Sequence, residues 1–355
     1  MNSEFTNILE KIELSLKEAL PESTNAQWQE LSFGQIDSCI NNSHLSVLSE
    51  PCNHLISLGG KRWRPLLLVL CARMVQETKG QAISLDKALA LTPLVEFAHT
   101  ASLIHDDIED SADTRRGAPA AHITYGLDTA LNAGAWLYFV APTCIQASGV
   151  SLETQILLNQ LYHQELCRLH LGQAMDIAWH RNNETTPSQD EYTAMVRMKT
   201  GTLASLSAQV GIIAGGGTIQ QAQEVGRIAS DIGIGFQVLD DVINLTSGNV
   251  GKKRGDDIVE GKKSLPILLH LEKNPQDLEA LTDCFARARI QGVDSPAVEQ
   301  AIAIVTDSGA IEEAATLARN LIQSACNRME ELFPNREATK KISQLFNNML
   351  KVAIG

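Results

Sequence analysis

Apolar residues recur at helical spacing along almost the whole 355-residue chain, and no series of alternating apolar and polar segments bounded by hairpin turns interrupts them. The pattern predicts an all-α protein. Breaks at Pro51, Gly59-Gly60, Gly117 to Pro119, Pro142, Asn182 to Pro187, Gly215 to Gly217, Ser247 to Gly261 and Pro275 leave about a dozen helices. No change of composition marks a domain boundary. Residues 1–355 therefore read as a single domain in which residues 1–50 form an N-terminal helical extension.

The formal net charge of −13 argues against a nucleic-acid partner, because a phosphate backbone calls for a surplus of Lys and Arg. Seven cysteines, Cys39, Cys52, Cys71, Cys144, Cys167, Cys284 and Cys326, form no CxxC pair and no zinc spacing. A reduced, cytoplasmic protein is expected. The first twenty residues have neither the apolar core of a signal peptide nor the Arg-rich character of a transit peptide. The long uncharged run Thr129 to Leu152 contains Asn132, Gly134, Pro142, Gln146 and Gly149, which points to a buried helix pair rather than a membrane span.

Two acidic clusters stand at the ends of apolar helical stretches. In HTASLIHDDIED, Asp106 and Asp110 are four apart and share a helix face, with Asp107 beside them. Like charges at this spacing weaken a helix, so a cation is expected to compensate them. Hard oxygen donors suit magnesium bound through a substrate's phosphates. Alone, such a cluster would be an ordinary solvated helix end. It is not alone, because FQVLDDVIN repeats the spacing with Asp240, Asp241 and Asn244 about 130 residues later. Facing each other across a bundle core, the two clusters would hold several divalent ions around one diphosphate.

Basic residues near helix breaks supply the opposite charge. GGKRWRP places Lys61, Arg62 and Arg64 just before the helix LLLVLCA, and Arg115-Arg116 follow the first acidic cluster. Each group alone is as well explained by a solvated helix end as by an anion site. Ser247 to Ser264 combines four glycines with clustered Lys and Arg, a composition suited to a loop over phosphates. Gly255 to Lys262 is not a Walker loop, since five residues separate its glycines and no strand precedes it.

GGKRWRP, HTASLIHDDIED with RRGAPAAH, GQAMDI, KTGTL, FQVLDDVIN and GKKRGDDIVEGKKSLP follow one another between Gly59 and Pro266. Together these six motifs resemble the trans-isoprenyl (polyprenyl) diphosphate synthases of the geranylgeranyl or longer-chain type. The resemblance implies an isoprenoid-synthase bundle around a central cavity, a homodimer, and three Mg2+ ions bound with substrate. It implies that Asp106, Asp107, Asp110, Asp240, Asp241 and Asn244 serve the metals. Lys61, Arg64, His99 and Arg116 match positions gripping isopentenyl diphosphate, while Arg115, Lys199, Thr200, Gln237, Lys252 and Lys262 match those contacting an allylic diphosphate. Asp106, Asp107, Asp110, Lys199, Asp240 and Lys252 would carry the catalytic step, and Gln173 and Asp176 lie in the family's GQxxD helix. Three departures are Asn244 in place of an acid, Ala135 where many members have an acid, and Trp63 in place of leucine.

The implied reaction joins isopentenyl diphosphate head-to-tail to an allylic diphosphate by ionising the allylic carbon–oxygen bond, with electrostatics as the main device. The released diphosphate would accept the final proton, so no side-chain base is required. The growing tail would run past Ser102, Ala98 and Val95, and the two positions where an aromatic residue caps short products are Ala101 and Ser102, both small. A product longer than farnesyl follows. A class I terpene cyclase would have no use for a second diphosphate site at Lys61, Arg64 and His99. A di-iron bundle would need Glu-x-x-His pairs, and a regulatory subunit would have lost an acidic motif.

Overall fold

The computed structural model describes residues 3–182, 186–248 and 253–354. The described residues are helical throughout except for turns and one two-residue hairpin, as the apolar period requires. Their contacts cluster into two compact units. The first comprises Met1–Gln164, Leu206–Gly226 and Asn335–Thr339, and the second Glu165–Ser205, Arg227–Pro334 and Lys340–Gly355.

In the first unit, α1 (Ser3–Ala19) buries Phe5, Ile8, Ile12 and Leu16, a stripe spaced by three, four and four residues. α2 (Ala26–Phe33) is capped by the Asn25 side chain, which accepts from the Trp28 backbone N–H. α3 (Asn42–Ser57) runs through Pro51 instead of breaking there. Packing against neighbouring helices outweighs the one intrahelical bond that proline removes. α4 (Trp63–Thr78) is buried on most of its surface, and α5 (Asp86–Ala90) leads into α6 (Thr92–Glu109), which starts with Pro93 in its first turn. β1 (Thr114–Arg115) and β2 (Ala118–Pro119) form the antiparallel hairpin after α6.

α7 (Ala121–Tyr125) precedes α8 (Leu127–Val140), which lies along α6 and α3. Gly134 makes that approach possible, because a Cβ there would stand 2.8 Å from the His105 ring. α9 (Thr143–Ala147) follows the break at Pro142. The run from Thr129 to Leu152 is thus a helix pair, but only partly buried: Leu131 is 49% and Phe139 80% exposed. No helix among the described residues is long and apolar enough to cross a membrane.

α10 (Leu152–Arg181) carries the chain into the second unit, followed by α11 (Gln189–Val196) and a π-helical turn, Arg197–Gly201. α12 (Thr202–Ala214) takes the chain back into the first unit, and α13 (Ile219–Thr246) returns it to the second. α14 (Asp256–Glu260) is one short turn, and α15 (Leu265–Lys273) packs on α11. α16 (Leu278–Gln291) and α17 (Pro296–Asp307) form a helical hairpin against which α14 rests. α18 (Ala310–Leu332) lies on α15, and α19 (Glu337–Ile354) ends the fold.

Candidate active site

α6 delivers two chemically opposite groups from one helix. His99 and Asp106 are seven residues apart, two turns or about 10 Å along the axis. Around His99 the charge is positive. The Arg64 guanidinium lies 3.2 Å from His99 Nε2 and 4.5 Å from the centre of the Trp63 ring, a cation–π contact that the usual leucine could not make. Arg116 donates to the Leu55 carbonyl at 3.0 Å, and Lys61 is exposed. Burial, reinforced by the charges of Arg64, Arg116, Arg115 and Arg62, holds the His99 imidazole well below its usual range, so the ring is neutral. Of the basic trio predicted before α4, Arg62 alone turns inward, 5% exposed.

The acids of α6 divide into two kinds. Asp107 is buried and accepts two N–H groups of Arg115, one of them from Nε at 2.7 Å. Asp106 and Asp110 are half-buried, with the Arg115 NH2 group 3.6 Å from Asp106 Oδ2. Arg115, predicted to contact the allylic diphosphate, thus stands within reach of the acid pair and neutralises its buried member.

In the second unit the same division recurs. Asp240 is exposed, whereas Asp241 is 6% exposed and enclosed by donors. Tyr192 O–H donates to Asp241 Oδ2 at 2.6 Å, the Leu265 N–H to the same oxygen at 3.2 Å, and Gln237 Nε2 to Oδ1 at 3.1 Å. Burial pushes the Asp241 carboxyl up to about 6, with these three donors opposing and the Asp240 charge adding to the rise. Burial and the Asp241 charge raise the Tyr192 phenol well above its usual range, so it remains a donor. Gln237 also accepts from Thr200 Oγ1 at 2.9 Å.

Lys199 and Thr200 are presented by the π-helical turn, a local distortion that re-aims side chains within a helix. Lys199 Nζ lies 2.6 Å from Asp176 Oδ2. Burial opposes ionisation of Asp176, but Lys199 and Lys262 outweigh it and hold the carboxyl below its usual range. The turn fits against α10 only because residue 172 is glycine: a Cβ there would stand 2.4 Å from the Lys199 backbone nitrogen. Lys262 pairs with Glu260 and stands 3.9 Å from Asp257 Oδ1. Lys252 lies outside the described residues.

Asn244 has a definite place. Its Oδ1 accepts the Asp257 N–H at 3.2 Å and its backbone carbonyl accepts the Gly255 N–H at 2.8 Å, so it ties the end of α13 to α14. Neither Tyr192 nor Asp257 is marked as a site residue by the sequence alone. Tyr192 sits seven residues before Lys199, a spacing that carries no meaning until α11 is seen to pack beside Asp241.

The acid pairs offer hard oxygen donors, the set that magnesium prefers. Among the described residues no group of three or more His, Cys, Asp or Glu side chains is arranged to hold a metal by itself. Such partial sets fit an ion that keeps water and takes remaining ligands from substrate phosphates. A model of the polyprenyl synthetase family matches residues 45–305.

The chain belongs to the polyprenyl synthetase family.

Among its relatives, the geranylfarnesyl diphosphate synthase of Aeropyrum pernix is 32% identical over 288 residues, covering 78% of this chain and 85% of the relative. The all-trans-nonaprenyl-diphosphate synthase (geranyl-diphosphate specific) of Rhodobacter capsulatus is 31% identical over 285 residues, 79% of this chain and 82% of the relative. Among solved structures, a geranylgeranyl pyrophosphate synthase from Corynebacterium glutamicum complexed with isoprenyl diphosphate and magnesium superposes with a TM-score of 0.80 at 26% identity, covering 97% of this chain and 98% of that one. Family membership bears out the resemblance drawn from the six motifs, and the helices of the described residues bear out the all-α prediction.

Proposed function

We propose that this synthetase is a magnesium-dependent trans-prenyltransferase that condenses isopentenyl diphosphate with an allylic diphosphate to give a linear all-trans product longer than farnesyl. The observation that carries the reading is the placement of a neutral, arginine-flanked His99 on α6, two turns before Asp106 and three before Asp110 at the helix end. One end suits a bare diphosphate held by cations, the other a diphosphate held through metal. Two diphosphates mean a condensation, not the cyclisation of one chain.

On this reading Lys61, Arg64, His99 and Arg116 bind isopentenyl diphosphate, and Arg115, Lys199, Thr200, Gln237, Lys252 and Lys262 serve the allylic diphosphate. Asp106, Asp110 and Asp240 meet the metals, three Mg2+ ions in all; Asp107 and Asp241 belong to the same set, held in place by Arg115 and Tyr192, and Asn244 contributes through the latch to Asp257. Bound magnesium supplies neutralisation of the charge that grows on the departing diphosphate. Lys199 and Lys262 add to it from the protein. The allylic carbon–oxygen bond breaks with its electron pair leaving on the diphosphate. The isopentenyl double bond then supplies the electrons of the new carbon–carbon bond, and the neighbouring C–H proton passes to the released diphosphate as the double bond re-forms. Ala101 and Ser102 leave no aromatic floor near Asp106, and relatives named for geranylfarnesyl and nonaprenyl products support the greater length.

The family's motifs are shared between the two units, so residues 1–355 act as one synthase domain. Leu127, Leu131 and Phe139 recur at intervals of four and eight on α8 and are 57%, 49% and 80% exposed, a face suited to a second copy in a homodimer. All seven cysteines are free thiols, which suits the reducing cytoplasm. The test is a pair of substitutions read kinetically. Lys61→Ala should raise KM for isopentenyl diphosphate alone, and Lys199→Ala should impair use of the allylic diphosphate; turnover that proceeds without isopentenyl diphosphate would contradict the reading.

A further inference from the structure

We infer that Arg62, clamped between Glu13 and Glu96, is a positioning residue for the isopentenyl-diphosphate site, and that α1 is therefore a working part of that site. The inference rests on the proposed role of Lys61 and Arg64. Arg62 is the N-cap of α4 in a left-handed conformation, φ 46°, without glycine's freedom to adopt it. Such a backbone persists only where surrounding contacts hold it. Gly59 and Gly60 before it also have positive φ, so the turn has no regular structure of its own to fix its shape.

The contacts come from three helices. Arg62 Nε donates to Glu13 Oε1 on α1 at 2.7 Å, one terminal nitrogen to Glu96 Oε1 on α6 at 2.6 Å, and the other to the Ile56 carbonyl on α3 at 2.6 Å. Three donors aimed in three directions from one planar group define the position of residue 62 more tightly than any single bond. Its neighbours inherit that position. Lys61 is exposed immediately before it, and Arg64 reaches His99 two residues after it. Glu96 lies one turn before His99 on α6, so the acid that fixes the turn and the histidine that meets Arg64 move together.

The arrangement also sorts charge. Arg62 would add a further cation to a cluster that already includes Lys61, Arg64, Arg115 and Arg116. Two glutamates neutralise the inward-facing member, while Lys61 beside it stays exposed.

Glu13 is the residue to change. Its removal strands no charge, because the buried Arg62 keeps its pair with Glu96, whereas Arg62→Ala would leave Glu96, 2% exposed, without that partner and is expected to unfold the protein. Glu13→Ala should raise KM for isopentenyl diphosphate about tenfold, the loss expected for one charge-assisted hydrogen bond, with kcat and the allylic KM changed less than about twofold. Glu13→Gln, which keeps an acceptor, should fall between, and Arg62→Lys, which keeps the charge but not the fork, should resemble Glu13→Ala. A Glu13→Ala enzyme with a lower melting temperature but an unchanged isopentenyl-diphosphate KM, while Lys61→Ala still raises that KM, would overturn the positioning role and leave the site assignment standing. If Lys61→Ala also left it unchanged, the site assignment itself would fall, and the inference with it.

Discussion

Replacing Tyr192 with phenylalanine removes one oxygen and little else, since the ring stays buried in the same place. That oxygen donates at 2.6 Å to Asp241, whose remaining donors, Gln237 and the Leu265 N–H, sit at 3.1 and 3.2 Å. A hydrogen bond to a charged group contributes about 1.5–3 kcal/mol, so the substitution should destabilise the unliganded protein by about 2 kcal/mol. If Asp241 orients the second acidic motif, part of the same loss appears in catalysis. About 2 kcal/mol corresponds to a fall of up to about 30-fold in kcat/KM for the allylic diphosphate. Urea unfolding measures the first quantity, and initial rates at saturating isopentenyl diphosphate the second. Unchanged stability would show that the bond contributes nothing. Lost stability with unchanged kcat/KM would show that Tyr192 supports the fold and not the chemistry.

Other substitutions probe different parts of the account. Ser102→Phe, at a half-buried position one turn from Asp106, should shorten the product by closing the tail's path, and an unchanged product distribution would refute that path. Ala101→Phe should act in the same sense but at a cost of about 1–3 kcal/mol in stability, because Ala101 is fully buried. His99 remains neutral in the folded protein while its unfolded form protonates near pH 6.5, so stability should fall as pH drops below about 6.5, by up to about 1.4 kcal/mol per unit. His99→Gln should flatten that slope in acid denaturation. Gly172→Ala should displace the Lys199 turn, raising the allylic KM at least about tenfold and lowering the melting temperature; a silent substitution would contradict the close approach of α10 to that turn.

The acid pairs were legible because their chemistry needs both spacing and an apolar helix beneath, and sequence displays both. Their internal division was not. Nothing in DDIED or DDVIN tells which aspartate turns inward, since that depends on Arg115 arriving from a hairpin and Tyr192 from α11. Arg62 illustrates the same limit: in GGKRWRP it is one of three cations, and only Glu13 and Glu96, distant in sequence, make it an inward one. Pro51 was read as a break because local preference says so, yet tertiary packing carries α3 through it. Asn244 read as a weakened acid, whereas its side-chain oxygen accepts a backbone N–H at the start of α14.

The most direct measurement is incubation of the purified chain with magnesium, labelled isopentenyl diphosphate and farnesyl diphosphate, with the hydrolysed products separated by length. The account predicts label in all-trans alcohols longer than farnesol, and none when magnesium is withheld. No incorporation with any allylic primer, or turnover of the primer that ignores isopentenyl diphosphate, would contradict it.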